Sequence, residues 1–168
     1  MRRIIFFFFI AALLMSFCSC EPAEADYLAY RGLDFCAIVE GARGSESFAC
    51  EITCKGGELQ KITYTGSGVL TGVTVTADGR QYCVERDGIK KEFSGGEELF
   101  AGLLMPAKML LLEGASLCTV QKIAEGTLLT VRCPAFPGEV TLTVAASGFP
   151  SVLTCEECSL RVVSVHAG

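Results

Sequence analysis

The chain has 168 residues, 51% of them hydrophobic and 20% charged, which is enough for one domain with its own core once a leader is removed. Nineteen Asp and Glu stand against 14 Lys and Arg, for a formal net charge of −5. That balance argues against nucleic acid as a partner, because its binders carry basic patches, and against electrostatic adhesion to anionic lipid headgroups.

Arg2 and Arg3 open the chain with positive charge, and Ile4 to Leu14 follow as an unbroken apolar run. A stable membrane-spanning helix needs roughly 20 apolar residues, so this run has instead the length of the hydrophobic region of a signal peptide. The segment Met15-Ser16-Phe17-Cys18-Ser19-Cys20 resembles the lipobox of bacterial lipoproteins, in which small residues precede a lipidated Cys. Ser19 is the small residue required before the cleaved bond, so Cys20 fits the lipidated position better than Cys18, which follows bulky Phe17. The reading is a signal peptide over residues 1–19, a lipidated N-terminus and polar tether over 20–32, and a folded domain over 33–168. An uncleaved anchor helix and ordinary secretion are the alternatives. Lipidation predicts attachment to the outer face of the cell membrane, each buried methylene contributing about 0.8 kcal/mol.

From Leu33 onward the hydrophobic period is mostly two. Leu33–Glu40 reads as a strand, and Ser47–Lys55 sets Phe48, Cys50, Ile52 and Cys54 against Ala49, Glu51 and Thr53, the pattern of a half-buried strand. Gly56-Gly57 turns into a strand over Glu58–Thr65. Gly66-Ser67-Gly68 breaks the pattern before a β-branched strand over Val69–Ala77. Asp78-Gly79 and Asp87-Gly88 are two-residue hairpin signals flanking Gln81–Arg86, with Ile89–Phe93 after them.

The period then changes. Glu97–Glu113 is one helical segment, with Leu99, Leu103, Ala107, Leu110 and Leu111 on a shared face. Phe100, Leu104, Met105, Met109 and Leu112 make the remainder apolar, so the segment must be buried nearly all round. Pro106 predicts a kink or two short helices, and Gly114 suits the helix end. Strands resume over Ser116–Ala124, Thr127–Cys133, Glu139–Ala145, Ser151–Cys155 and Ser159–His166. The pattern predicts a mainly β (α+β) fold: a curved antiparallel sheet, or incomplete β-barrel, of about 10–11 strands around one kinked apolar helix.

Several segments resemble the lipoprotein-carrier (LolA-like) superfamily, and more narrowly the LolA-like lipoproteins of Gram-positive bacteria, a group that includes a spore-germination lipoprotein. They are Asp34-Phe35-Cys36-Ala37, the Leu59–Thr65 strand, Leu70-Thr71-Gly72-Val73-Thr74-Val75, and Ser147-Gly148-Phe149-Pro150-Ser151-Val152-Leu153. The resemblance implies a half-barrel wrapping helices, whose interior takes acyl chains in the carriers.

Residues that carry chemistry are sparse. His166 is the sole histidine and lies two residues from the end, a poor place for a general base. No phosphate-binding loop is present. Cys155-Glu156-Glu157-Cys158 is a CxxC without a following helix. With Cys50 and Cys54 its thiols could form disulfides or hold a metal such as zinc, or be incidental apolar residues. Leu99, Phe100, Leu103, Leu104, Leu110 and Leu111 line either a packed core or a cavity for an apolar ligand. The expectation is a non-enzymatic surface lipoprotein, without a cofactor, that binds a protein partner in the envelope. The alternatives are a carrier or sensor of an apolar or lipid ligand in the half-barrel and, behind it, a thiol-dependent redox or zinc protein. Replacing Cys20 with Ala should release the protein or leave it as an unprocessed precursor; a normal mature mass with unchanged membrane retention, read by fractionation and mass spectrometry, would exclude lipidation there.

Overall fold

The computed structural model describes residues 27–79, 81–95 and 101–168. The leader with Cys20, and the helix candidates Leu99 and Phe100, lie outside the described residues. Period-two patterning becomes eleven strands: β1 (Phe35–Arg43), β2 (Glu46–Lys55), β3 (Glu58–Tyr64), β4 (Thr74–Asp78), β5 (Gln81–Arg86), β6 (Ile89–Ser94), β7 (Ser116–Ile123), β8 (Gly126–Arg132), β9 (Glu139–Val144), β10 (Pro150–Thr154) and β11 (Cys158–Ala167). They form one sheet in the order β6-β5-β4-β3-β2-β1-β11-β10-β9-β8-β7. Every neighbouring pair is antiparallel. Two hairpin meanders are joined at the centre by β1 and β11, which pair from Phe35 opposite Ala167 to Arg43 opposite Cys158. Among the described residues, β6 and β7 are the open edges.

One face of the sheet is apolar. Val39, Cys50, Ile52, Ile62, Val75, Leu129, Val131, Val140 and Leu153 are all fully buried. The turns follow the residues that favour them: Asp87 and Gly88 both take positive φ, as a two-residue hairpin of the primed type requires.

Two expectations are corrected. Val69–Ala77 is not one strand; Val69 to Gly72 form a turn and β4 begins at Thr74. Gly72 takes a φ of +80°, its N–H donates to the Tyr64 carbonyl, and the Thr71 hydroxyl donates to the carbonyls of Gly66 and Gly68. These local bonds outweigh the β-propensity of the segment. The folded unit also starts before Leu33. Leu28 and Tyr30 are each 2% exposed, and a 3-10 turn over Ala29–Gly32 carries Tyr30 into the core, where its ring lies 5.9 Å from that of Phe149.

The connection from β6 to β7 carries the helix α1 (Ala101–Leu111), which packs against β3 and β10. Those strands are four places apart in the sheet, so the sheet curves around the helix. From Leu104 to Leu111 every residue but Lys108 is buried, as an apolar circumference demands. Of the two expectations at Pro106, a kink or a division into two short helices, the division is not present: α1 runs continuously through it as one helix. It ends at Leu111, before Gly114, and Leu112, fully buried with φ of +45°, follows it. The Tyr30 hydroxyl donates to the Leu110 carbonyl at 2.8 Å, and Arg31 Nη1 donates to the Leu112 carbonyl at 2.8 Å. Terminal carbonyls that the helix cannot satisfy itself are thus capped, one by a cation at the negative end of the helix dipole. No helix among the described residues is long and apolar enough to cross a membrane.

Leu110 is 2% exposed at the centre of this packing. Leu110→Ala should cost about 2–5 kcal/mol, the usual range for a buried leucine. Urea denaturation should show a lowered midpoint, and a loss below about 0.5 kcal/mol, the size expected of surface sites, would place the helix outside the core.

Candidate functional site

The C-terminal half of α1 fills the sheet's concave face, and its N-terminal half does not. A cleft of about 480 Å³ lies between Gly102, Leu103, Met105 and Pro106 of the helix, Phe48 and Ala49 of β2, Tyr64 of β3 and the turn from Gly66 to Thr71. Arg43, Glu46, Ser47 and Ser67 add polar groups to its lining. The volume lies within the about 300–1,000 Å³ typical of small-molecule sites, as does the mix of apolar wall and few polar groups.

Each wall has a local cause. Tyr64 faces inward on β3, its ring 6.4 Å from that of Phe48, and its hydroxyl donates to the Leu103 carbonyl at 2.8 Å. This ties the helix to the sheet without filling the space beside it. After Thr65 the chain doubles back over β2, with the N–H groups of Thr65 and Gly66 both donating to the Ala49 carbonyl. A Cβ at residue 66 would meet Ala49 at 2.9 Å, so the close approach needs glycine there. The resulting turn leaves Val69 76% exposed at the lip of the cleft and Leu70 partly buried. On the helix side, Gly102 presents no side chain, and the nearest atom to a Cβ built there is Arg43 Nη1, at 3.3 Å. Pro106, also in the lining, has no N–H to give to the Gly102 carbonyl.

The candidate residues from the sequence divide. Leu103 is partly buried and lines the cleft, whereas Leu104, Leu110 and Leu111 are buried in the core. Leu99 and Phe100 lie outside the described residues. Phe48, Tyr64, Leu70, Gly102 and Arg43 were not anticipated. Only a glycine within an otherwise apolar helical run signalled a gap; the rest depends on strand pairings between distant residues. His166 sits in β11, exposed, opposite Cys36 of β1 and away from the cleft lining.

The eight cysteines among the described residues are free thiols. Cys50 and Cys54 point inward from β2, while Cys155 and Cys158 flank the turn between β10 and β11. No group of three or more His, Cys, Asp or Glu among the described residues is placed to hold a metal ion. Burial pushes the thiols of Cys50 and Cys54 up to about 12 and that of Cys158 to about 11. Burial likewise raises Tyr30 and Tyr64 well above the usual tyrosine value.

No protein-family model and no curated protein matches the sequence. Among solved structures, the fold is shared with an uncharacterised conserved protein from Thermus thermophilus, with a TM-score of 0.57 and 12% identity over 85% of this chain and 84% of that one. Weaker likenesses are to the LolA superfamily protein NE2245 from Nitrosomonas europaea, at TM-score 0.42 and 11% identity over 84% and 89% of the two chains. The Mycobacterium tuberculosis lipoprotein LppX gives 0.40 and 13% over 87% and 95%.

The buried thiols and tyrosines fix a pH dependence. Their folded-state pKa values lie above the unfolded ones, so folding favours the protonated forms. The associated stability is complete below the unfolded values, near pH 9 for the thiols, and is lost as pH rises through the folded values of about 11–12. Melting temperature should therefore fall progressively above about pH 9; a flat profile from pH 8 to 11 would show these groups to be in contact with water.

Proposed function

We propose that this protein is a non-enzymatic envelope lipoprotein of the LolA-like kind, lipid-anchored through Cys20, that holds an apolar ligand such as an acyl chain against the N-terminal half of α1. The observation that supports this reading is the cleft. Its wall is built from Phe48, Tyr64, Leu70, Leu103, Met105 and Pro106. A methylene transferred from water to such a wall contributes about 0.8 kcal/mol before the cost of association is met, so affinity should rise with the length of the chain held.

Binding of a protein partner, the leading expectation from sequence, is the second reading. What favours it is the edge strand β7, where Cys118 and Val120 are exposed and the outer backbone groups have no neighbouring strand among the described residues. An extended segment can add to such an edge.

Gly102→Leu separates the two. It would put a side chain into the cleft while replacing a glycine at the described start of α1 with a better helix former. The full chain and this variant should be titrated with a fluorescent fatty-acid analogue. Binding should fall at least tenfold in Gly102→Leu and in Leu103→Glu, with the melting temperature of Gly102→Leu unchanged or raised. If both variants bind as the parent does, the cleft is not the site and the β7 edge becomes the surface to test.

A further inference from the structure

The CxxC takes no part in the cleft proposed for the ligand, yet the fold places its two thiols as a pair. Thr154 of β10 pairs with Ser159 of β11, and the next residues toward the turn are Cys155 and Cys158, joined by the bond from Cys155 N–H to the Cys158 carbonyl at 2.8 Å. They close a hairpin whose two-residue tip is Glu156-Glu157. Directly opposed residues of an antiparallel pair have Cα atoms about 4.5–5.5 Å apart and side chains on the same face. A disulfide spans Cα separations of about 4.4–6.8 Å, so the Cα separation of a directly opposed pair lies within the range of a bridge. Both residues line a second cleft, of about 200 Å³, beside Arg43 and Lys108. Cys155 is partly exposed and Cys158 is 6% exposed. The Cys158 thiol lies 3.3 Å from the Met105 Sδ and 3.7 Å from the Ser159 carbonyl, the two acceptors in reach of its hydrogen, and Met105 is a buried residue of α1 that lines both clefts.

We propose that Cys155 and Cys158 are a redox-active thiol pair that exchanges with a low-molecular-weight disulfide and closes the β10–β11 hairpin as an intramolecular disulfide. The thiolate of Cys155, the more exposed partner, attacks one sulfur of the oxidant, forms a mixed disulfide and releases one small thiol. Cys158 then gives up its proton and attacks the Cys155 sulfur, releasing the second small thiol. Two electrons pass from the protein thiols to the oxidant. The hydrogen that Cys158 holds within reach of Met105 is removed in the second step, so oxidation breaks the sulfur contact between the hairpin and α1. Burial, and behind it the neighbouring Cys155 thiol, holds the Cys158 proton up to about 11, with the Arg43 guanidinium partly opposing them, so closure accelerates with pH. Its rate should rise about tenfold per unit between pH 7 and 9 as the thiolate fraction grows.

The full chain, reduced and then equilibrated in glutathione buffers of increasing oxidised fraction, tests this by alkylation and peptide mapping. Cys155 and Cys158 should lose alkylation together, on one peptide two mass units lighter. Cys158→Ser should instead retain one glutathione on Cys155. Met105→Leu, which keeps the apolar volume but removes the acceptor sulfur, should need a smaller oxidised fraction for half-closure. The pair is refuted if both thiols stay alkylatable in oxidised glutathione, if either pairs with a different cysteine, or if Cys158→Ser takes up no glutathione at Cys155. Equal midpoints for the parent and Met105→Leu would overturn the coupling to α1.

Discussion

An antiparallel sheet of eleven strands with one apolar face must hide that face from water, and α1 lies against it. The arrangement of the rest follows from that requirement. The helix is the link between the two edge strands, so it crosses the face it covers. A helix end buried in this way would leave carbonyls unpaired, at a cost of about 1–3 kcal/mol for each group. Tyr30 and Arg31 answer that cost from a turn some 80 positions earlier in the chain. The segment before β1 is therefore a structural part of the helix cap, although its short 3-10 turn has no sheet partner. The central pairing of β1 with β11 has a similar long-range character, since it joins the first and last strands of the domain.

The same helix is both plug and floor. Its buried residues from Leu104 to Leu111 complete a core that reaches Leu129, Leu142 and Leu160 on the far half of the sheet. Toward its N-terminus the packing gives way, because Gly102 offers no side chain and Leu103 is only partly buried. A well-packed interior has few voids larger than a water molecule, so a gap of this size beside a dense core is a feature of shape rather than of loose packing. Tyr64 makes the gap durable. Its hydroxyl fixes the helix to β3 at Leu103, so the helix is held at that distance and does not settle onto Phe48.

Most of the sheet was legible because strand chemistry is local. The alternation of Cys50, Ile52 and Cys54 with Glu51 and Thr53 can be read without a partner strand, and Asp87-Gly88 announces its own turn. The errors fall where a local signal met a stronger bond. Val69 to Val73 is β-branched in part, but the Thr71 hydroxyl and Gly72 turn it. Leu28 and Tyr30 follow a polar stretch and read as its continuation until Leu110 supplies an acceptor. Pro106 left a kink and a division into two helices both open, and the helix passes through it undivided, with Tyr64 anchoring the preceding turn at Leu103. The cleft was the least legible feature, because its walls come from β2, β3, the following turn and α1, and no residue spacing encodes their meeting.

The cysteines show why position in the fold matters more than count. An even number in an exported chain suggests disulfides, but parity says nothing of geometry. Cys50, Cys54 and Cys133 are at most 2% exposed and serve the core as small apolar side chains, Cys133 donating to the Glu113 carbonyl. Cys36 and Cys54 belong to neighbouring strands, but Cys54 is paired with Phe35, and Cys36 with Thr53. One register step puts their side chains on opposite faces of the sheet, which a disulfide cannot cross without distorting the strands. Cys155 and Cys158 differ in the one respect that matters: the hairpin sets them opposite each other and on one face. The residues that separate the strands there are two glutamates, which favour solvent and keep the tip of the hairpin out of the core. The CxxC is thus made a pair by strand register, without the helix N-terminus that lowers a thiol pKa in thioredoxin-type sites, and its proximity to Met105 places it against the helix that holds the whole sheet together.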